Sequence, residues 1–481
     1  MINVITRNIL GDKFLGLNIQ TGDSFTRNNL TSKIDLWKYV LKTQCHAQKG
    51  ESILIGVQTL GLDYLSMIFA AAELSLKIVI IDYDRNDDFK DLEYFDPKTK
   101  ILSPIDIFLH DFSKETIKQN PKAYSKFVFF SNCSKRTYST KDDINFEISD
   151  QKEFNSIKKI FPEPADILMR CTSSGTTGTP KIVEHTHEFI YKISDRNSDK
   201  FSGKCMHIRN LNHGSSLAVY LLPTLMNNEV TTHLFYNVDE HEPFDKFVND
   251  IRQYEDILEY IIFPYPFMID EFVDASQRNN LKWQNLNIQT LSYIQNKPKL
   301  AVKKKIIKSI TSIFGSNETS GPVFISYVDE TCTDKDTRYF EKVDNFYGIK
   351  IYGGGLLGVH LPVYNTEIIT NDTFERKENF YVHNGRSDLI RINGETLDIQ
   401  VINDFNNKNK NAYLVTDTVK NCLYLAFWNN IDQDIKTEYE QFFKNNFNRV
   451  EISKVQVLNE ANFRTGIKID NEMLREYFRN V

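Results

Sequence analysis

Very little in this chain could staple or anchor it. Its 481 residues carry six cysteines, Cys45, Cys133, Cys171, Cys205, Cys332 and Cys422. None of them forms a Cys-x-x-Cys pair, which argues against a zinc site. A basic excess is also lacking. Lys plus Arg number 58 against 64 Asp plus Glu, for a net charge of −6. That balance excludes the broad positive field of a non-specific nucleic-acid binder, so no nucleic-acid partner is expected. No apolar run approaches the roughly 20 residues of a membrane span. The longest, near residues 64–71, is short and contains Ser66. The first residues lack the apolar core of a signal peptide. No internal repeat and no long low-complexity tract is present. Scattered thiols fit a reducing compartment, and the expectation is a cytoplasmic protein. Glycosylation sequons at Asn29, Asn132, Asn317 and Asn371 do not change this. The last two fall in motifs that a glycan would block.

What is present is ordinary globular stock, 41% hydrophobic and 25% charged, in a chain long enough for about three domain-sized units. Residues 53–57 and 78–81 are apolar, β-branched runs that fit buried parallel strands. Between them Leu65, Ile68, Phe69 and Ala72 recur at helical spacing. The expectation is a right-handed βαβ unit in an α/β protein. Residues 101–110 and 126–130 read as further strands. Near the C-terminal end, residues 388–392, 412–416 and 422–428 read as strands and 435–444 as a helix. Residues 406–411, Asn-Asn-Lys-Asn-Lys-Asn, read as a polar loop.

The most informative segment is Cys171-Thr-Ser-Ser-Gly-Thr-Thr-Gly-Thr-Pro-Lys181. Thr172, Ser173, Ser174, Thr176 and Thr177 offer hydroxyl donors. Gly175 and Gly178 let backbone amides approach an anion closely. Lys181 adds a positive charge. Such a loop can cradle a polyphosphate. It is not a Walker loop, because the Gly–Lys spacing differs and Ile182 follows the lysine.

This string resembles the phosphate-binding signature of the adenylate-forming superfamily, which includes acyl-CoA synthetases, peptide-synthetase adenylation domains and beetle luciferases. The resemblance continues through Ile182-Val-Glu-His-Thr-His187, with Ile182 where glycine is usual. It can be followed to the C-terminus. The fold it implies is α/β: a large N-terminal AMP-binding domain, residues 1–384, with parallel sheets and a trimmed β-barrel subdomain. A small mobile α+β lid domain, residues 385–481, follows a hinge at residues 385–388, pivoting on Asp388.

The resemblance also implies roles. His213, in Asn212-His-Gly214, lines the acyl pocket. Ile262-Phe-Pro264 leads toward the adenine site. Where the family has a small Gly-rich turn, this chain has Tyr293-Ile-Gln-Asn-Lys-Pro298. Phe314-Gly315-Ser-Asn317-Glu318 resembles Tyr-Gly-x-Thr-Glu. In it Phe314 stacks on adenine, Asn317 stands near the α-phosphate and Glu318 holds Mg2+. Asp372 accepts from the ribose hydroxyls, and Arg386, in Gly385-Arg-Ser-Asp388, reaches the ribose or a phosphate. Lys468, in Arg464-Thr-Gly-Ile-Lys468, is the adenylation lysine, with Lys181 and His213 beside it in the reaction. The substrates implied are ATP and a small carboxylic acid. The acceptor implied is a thiol, either CoA or the phosphopantetheine of a carrier protein. An amine acceptor and a nucleotide-binding scaffold without catalysis are the alternatives.

Two features stand outside this scheme. Residues 297–308 contain six lysines and read as a solvated helix face. His185 and His187, two apart, have a spacing that suggests a metal, but no third ligand is visible in the sequence.

Overall fold

In the computed structural model the described residues are 5–10, 14–56, 60–80, 105–111, 113, 115, 118, 134–173, 181–208, 216–238, 244–263, 266–290, 296–330, 339–378, 380–386, 389–392, 395–398, 402, 406, 411–417, 420, 422–428, 430–446, 450–465, 468–469 and 471–480. The chain divides into two compact units. One comprises Met1–Gly348 and His360–Ile368, the other Ile349–Val359 and Ile369–Val481.

In the first unit the strands are β1 (Leu15–Asn18), β2 (Ser24–Thr26), β3 (Ser52–Gly56), β4 (Lys77–Ile80), β5 (Ile105–His110), β6 (Ser134–Ser139), β7 (Ile167–Ser173) and β8 (Lys181–Thr186). They continue with β9 (Gly203–His207), β10 (Val230–Phe235), β11 (Tyr260–Phe263), β12 (Trp283–Thr290), β13 (Ile307–Phe314), β14 (Phe324–Val328) and β15 (Tyr339–Lys342). One sheet has the order β6-β5-β3-β4-β7-β8 and is parallel except for the last pair. The other runs β2-β1-β10-β9-β11-β12-β13-β14-β15 and is parallel from β1 through β13.

The expected βαβ unit is present as β3, the helix Leu62–Glu73 and β4, with β3 and β4 parallel. Every residue of β3 is buried, and so is nearly every residue of the helix. This explains why both read as apolar on all sides rather than as amphipathic. The strand expected at 101–110 begins at Ile105 among the described residues, and the one at 126–130 lies outside them. The second sheet's core gathers Met206, Leu234, Ile261, Ile288 and Ile310 from its strands with Phe247, Phe272 and Trp283.

A buried ionic cluster ties four segments of this unit. Lys38 is fully buried on the helix Arg27–Thr43. Its ammonium donates to Glu73 Oε2 at 3.0 Å, Lys158 O at 3.0 Å and Ile160 O at 2.6 Å. Three protons thus meet three acceptors. Glu73, also fully buried, accepts from Arg7 as well, and Arg7 pairs with Asp35.

Then come β16 (Gly348–Ile351), β17 (Leu356–Leu361), β18 (Thr366–Lys377), β19 (Phe380–Arg386), β20 (Leu389–Ile392), β21 (Glu395–Asp398), β22 (Ala412–Asp417), β23 (Cys422–Phe427), β24 (Ile452–Val457), β25 (Arg464–Thr465) and β26 (Lys468–Ile469). In the second unit β22, β23 and β24 form a separate sheet covered on both faces. Leu423, Leu425 and Phe427 pack with Tyr439 and Phe443 of the helix Gln433–Asn446. Cys422, Tyr424 and Ala426 pack with Leu474 and Phe478 of the helix Asn471–Asn480. The period-2 alternation of a strand therefore serves two helices, and β23 reads as a continuous apolar run. The polar run at 406–411 is more than loop: Asn406 is half-buried and bonds the Leu414 backbone both ways, Nδ2 to O at 3.0 Å and N to Oδ1 at 2.6 Å. Among the described residues no helix is long and apolar enough to cross a membrane.

Candidate functional site

The glycine-rich segment joins β7 to β8, which pair antiparallel with Ser173 opposite Lys181. Thr172, Ser173 and Lys181 therefore sit at the open end of a hairpin. Residues 174–180, which include Ser174, Gly175, Thr176, Thr177 and Gly178, lie outside the described residues, as does His213. Pro264 and residues 291–295 are outside them too.

Phe314 ends β13, and the chain then reverses through Gly315–Gly321 into antiparallel β14, with Phe314 opposite Phe324. Both glycines are demanded by close approach. A Cβ on Gly315 would stand 2.4 Å from Gly321 O, and one on Gly321 would stand 2.7 Å from Ile193 Cγ2. The Thr319 hydroxyl accepts from Ser316 N at 2.9 Å and lies 3.0 Å from both Ser316 O and Gly321 O. The buried Tyr347 hydroxyl donates to Thr319 O at 2.8 Å. Ser320 takes a left-handed conformation, φ +44°, a strained choice for a residue with a Cβ.

This turn is fastened to the β7–β8 hairpin. His185 on β8 is 1% exposed, and its Nε2 lies 2.7 Å from Asn317 O. A carbonyl only accepts, so Nε2 carries the proton and Nδ1 accepts. The group at Nδ1 is the Tyr364 hydroxyl, 3.4 Å away, which also accepts from Thr186 N at 3.1 Å. The His185 ring stacks on Phe189 at 4.8 Å. Burial pushes the imidazole down to about 4, with the Asn317 carbonyl and the Glu318 charge opposing. On the other strand, burial and then the Glu318 charge push the Cys171 thiol up to about 12. The Glu318 carboxylate thus acts electrostatically on residues of both hairpin strands. Glu318 itself is half-buried.

His187 does not share a site with His185. It opens the helix His187–Ser198, and its Nδ1 accepts from Ile5 N at 3.2 Å. Among the described residues no group of three His, Cys, Asp or Glu is arranged to hold a metal ion. Glu318 offers a carboxylate, the hard oxygen donor that Mg2+ takes, commonly with one or two protein carboxylates plus phosphate and water. One such residue on a turn fastened to β8 fits that ion.

In the second unit Asp372 and Arg386, fourteen positions apart, are direct cross-strand partners on β18 and β19. A register shift between Thr373 and Phe374 sets His383 opposite Phe374. Asp372 is 6% exposed, and its Oδ1 lies 3.3 Å from His383 Nε2. Ser387 and Asp388 lie outside the described residues. Lys468 opens β26, opposite Thr465 on β25. The lysine-rich stretch contributes the helix Asn296–Lys303 and the start of β13. In it Lys305 stands 3.6 Å from Glu330 with both side chains largely exposed.

Sequence reasoning missed His185 as a clamp, along with Tyr364, Thr319 and His383. The only signal for the first was its odd spacing from His187. The others carry none without the fold.

The chain matches no protein-family model and no curated protein sequence. Solved structures do match over its whole length. The amide bond synthetase McbA from Marinactinospora thermotolerans superposes with a TM-score of 0.69 at 12% identity, covering 98% of each chain. The anthranilate CoA ligase AuaEII, in complex with anthranoyl-AMP, gives 0.62 at 11% identity, covering 99% of this chain and 98% of that one. The McyG A-PCP structure, complexed with phenylalanyl-adenylate, gives 0.61 at 16% identity, covering 100% and 96%.

Proposed function

We propose that this chain, whose fold is that of the adenylate-forming superfamily, activates a carboxylic acid as its acyl-adenylate and then transfers the acyl group to a thiol. The observation that carries the reading is the fastening of two motifs far apart in sequence. The hairpin bearing the glycine-rich loop and the turn bearing Glu318 meet through the 2.7 Å His185–Asn317 bond. A phosphate cradle and a hard-metal carboxylate side by side are what a nucleotide's phosphates require.

In the proposed reaction a carboxylate oxygen attacks the α-phosphorus of ATP. The bond from that phosphorus to the bridging oxygen breaks, and pyrophosphate leaves. The hydroxyls of Thr172, Ser173, Ser174, Thr176 and Thr177, the amides around Gly175 and Gly178, and Lys181 bind the phosphates. Mg2+ on Glu318 would neutralise phosphate charge as it moves onto the leaving group. Phe314 and Gly315 border the adenine, and Asn317 stands by the α-phosphate. Asp372 accepts from the ribose hydroxyls, with His383 orienting its carboxylate, and Arg386 lies across the ladder. Lys468 bridges the attacking carboxylate and the α-phosphate. His213 lines the acyl pocket. In the second step a thiolate, of CoA or of a carrier-protein phosphopantetheine, attacks the acyl carbon and AMP leaves. The proposed boundary between the AMP-binding domain and the lid lies at residues 384 and 385, and the protein is proposed to be cytoplasmic.

The test is ATP–pyrophosphate exchange against a panel of carboxylic acids. Exchange with at least one acid is expected, and absence of exchange with every acid points to a non-catalytic scaffold. A second reading is transfer to an amine, as an amide bond synthetase is among the proteins that share the fold. Adding CoA, then amines, to the exchange-active acid and identifying thioester or amide by mass decides between them.

A further inference from the structure

We infer that His185 is a positioning residue for Glu318, holding the Asn317–Glu318 peptide in one orientation against the phosphate-loop hairpin. The inference rests on the reading of Glu318 as the metal-binding carboxylate. Asn317 O accepts twice, from His185 Nε2 at 2.7 Å and from Ser320 Oγ at 3.1 Å. Both lone pairs of that carbonyl are used. In a planar trans peptide the carbonyl and the following N–H point in opposite directions, so fixing Asn317 O toward His185 turns the Glu318 N–H away from it. The plane from which the Glu318 side chain departs is therefore set by β8, the strand that also carries Lys181.

The clamp is built, not incidental. His185 is 1% exposed, stacked on Phe189, and its second nitrogen meets the Tyr364 hydroxyl. That fixes the tautomer that donates to Asn317. The turn it holds is otherwise strained at Ser320. Without the clamp the carbonyl keeps its bond from Ser320 Oγ but loses its tie to β8, and with it the fixed placement of the carboxylate relative to that strand. Residues that orient a metal-binding side chain typically change metal affinity by about 10–100-fold when removed.

The test measures Mn2+ binding, as a stand-in for Mg2+, by the loss of the free-ion electron paramagnetic resonance signal. The full chain is used with a non-hydrolysable ATP analogue, and melting temperature is recorded in parallel. Three variants decide. Glu318→Gln removes the carboxylate. His185→Gln keeps an N–H three bonds from Cβ, where Nε2 stands, whereas His185→Asn is one bond too short. The expected result is a Kd raised about tenfold in His185→Asn and within about twofold of wild type in His185→Gln. The two should melt alike. Glu318→Gln should bind more weakly than either. Wild-type affinity in His185→Asn, or equal weakening in both His185 variants, overturns the positioning role and leaves the reading of Glu318 standing. Wild-type affinity in Glu318→Gln overturns the reading itself and the inference with it. If His185→Asn does not fold, Tyr364→Phe replaces it. Loss of the hydroxyl at Nδ1 should raise the Kd about tenfold, the lower end of outer-shell effects, and no change overturns the clamp.

Discussion

In the first unit His185, His187, His207 and His233 are all buried, and burial drives each imidazole toward its neutral form. Three are pushed down to about 4, and His233 lies well below its ordinary value. In the second unit the fully buried Asp417 instead lies 2.6 and 2.8 Å from two guanidinium nitrogens of Arg479. A neutral imidazole brings no charge into the core at pH 7 but must be charged when the chain unfolds in acid. An ion pair keeps its charge, and its vulnerability is the loss of one partner. The first unit also buries ion pairs, Lys38 and Arg7 with Glu73, so what sets it apart is the added acid sensitivity of its buried imidazoles.

Acid should separate them most strongly. The imidazoles have folded values depressed below the ordinary 6.5. The unfolded chain therefore binds more protons between pH 6.5 and about 4. Their contribution is complete above the unfolded value and is lost as pH falls through that window. The first unit should lose several kcal/mol there. Hydrogen exchange at pH 7 and 4.5 should show protection falling in β9, β10 and β12 before it falls in β22 and β23. Simultaneous loss in both units would erase the distinction. The catalytic split comes next. Lys468→Ala, in the second unit, should lower adenylation by a factor on the order of 10²–10³ in pyrophosphate exchange. Thioester formation from supplied acyl-adenylate should change far less, and a variant with full exchange would make this an ordinary surface lysine. Arg479→Leu leaves Asp417 buried beside an apolar group, which should cost the second unit about 3 kcal/mol. Amides of β22 and β23 should then exchange faster while those of β12 do not. Smallest is Tyr347→Phe, which leaves Thr319 O without its 2.8 Å donor. A loss of about 1 kcal/mol in denaturant unfolding is expected, confined to the first unit.

The parts legible in the sequence were those in which one segment holds all its own information. β3 and β4 announce themselves through short apolar runs, and the helix between them through apolar residues at helical spacing. The glycine-rich string and Phe314 to Glu318 stood out because each is a contiguous pattern; the first joins β7 to β8 and the second follows β13. The bond from His185 to Asn317 spans 132 residues and depends on the hairpin's twist and the turn's exact path being right together. The spacing of His185 and His187 carried no metal reading without a third ligand. The strand ends at Thr186, so the two rings serve different partners. His383 was hidden for another reason. A one-residue shift in the ladder decides which residue lies beside Asp372, and nothing in the local composition marks it. Asn406 looked like solvent-facing loop because its function is to imitate a strand's backbone, which composition does not encode.

Lys38 carries a consequence for chemical labelling. Acyl-adenylates acylate amines, and exposed lysines such as Lys305 stand open to them and to amine-directed reagents. The Lys38 amine has no lone pair to offer while all three of its protons are engaged, and no path to solvent. Its appearance among modified peptides in a mass spectrum would therefore count the molecules that had opened between the helix Arg27–Thr43 and the segment around Ile160. The protein carries an internal gauge of its own breathing, read against its surface lysines in the same digest.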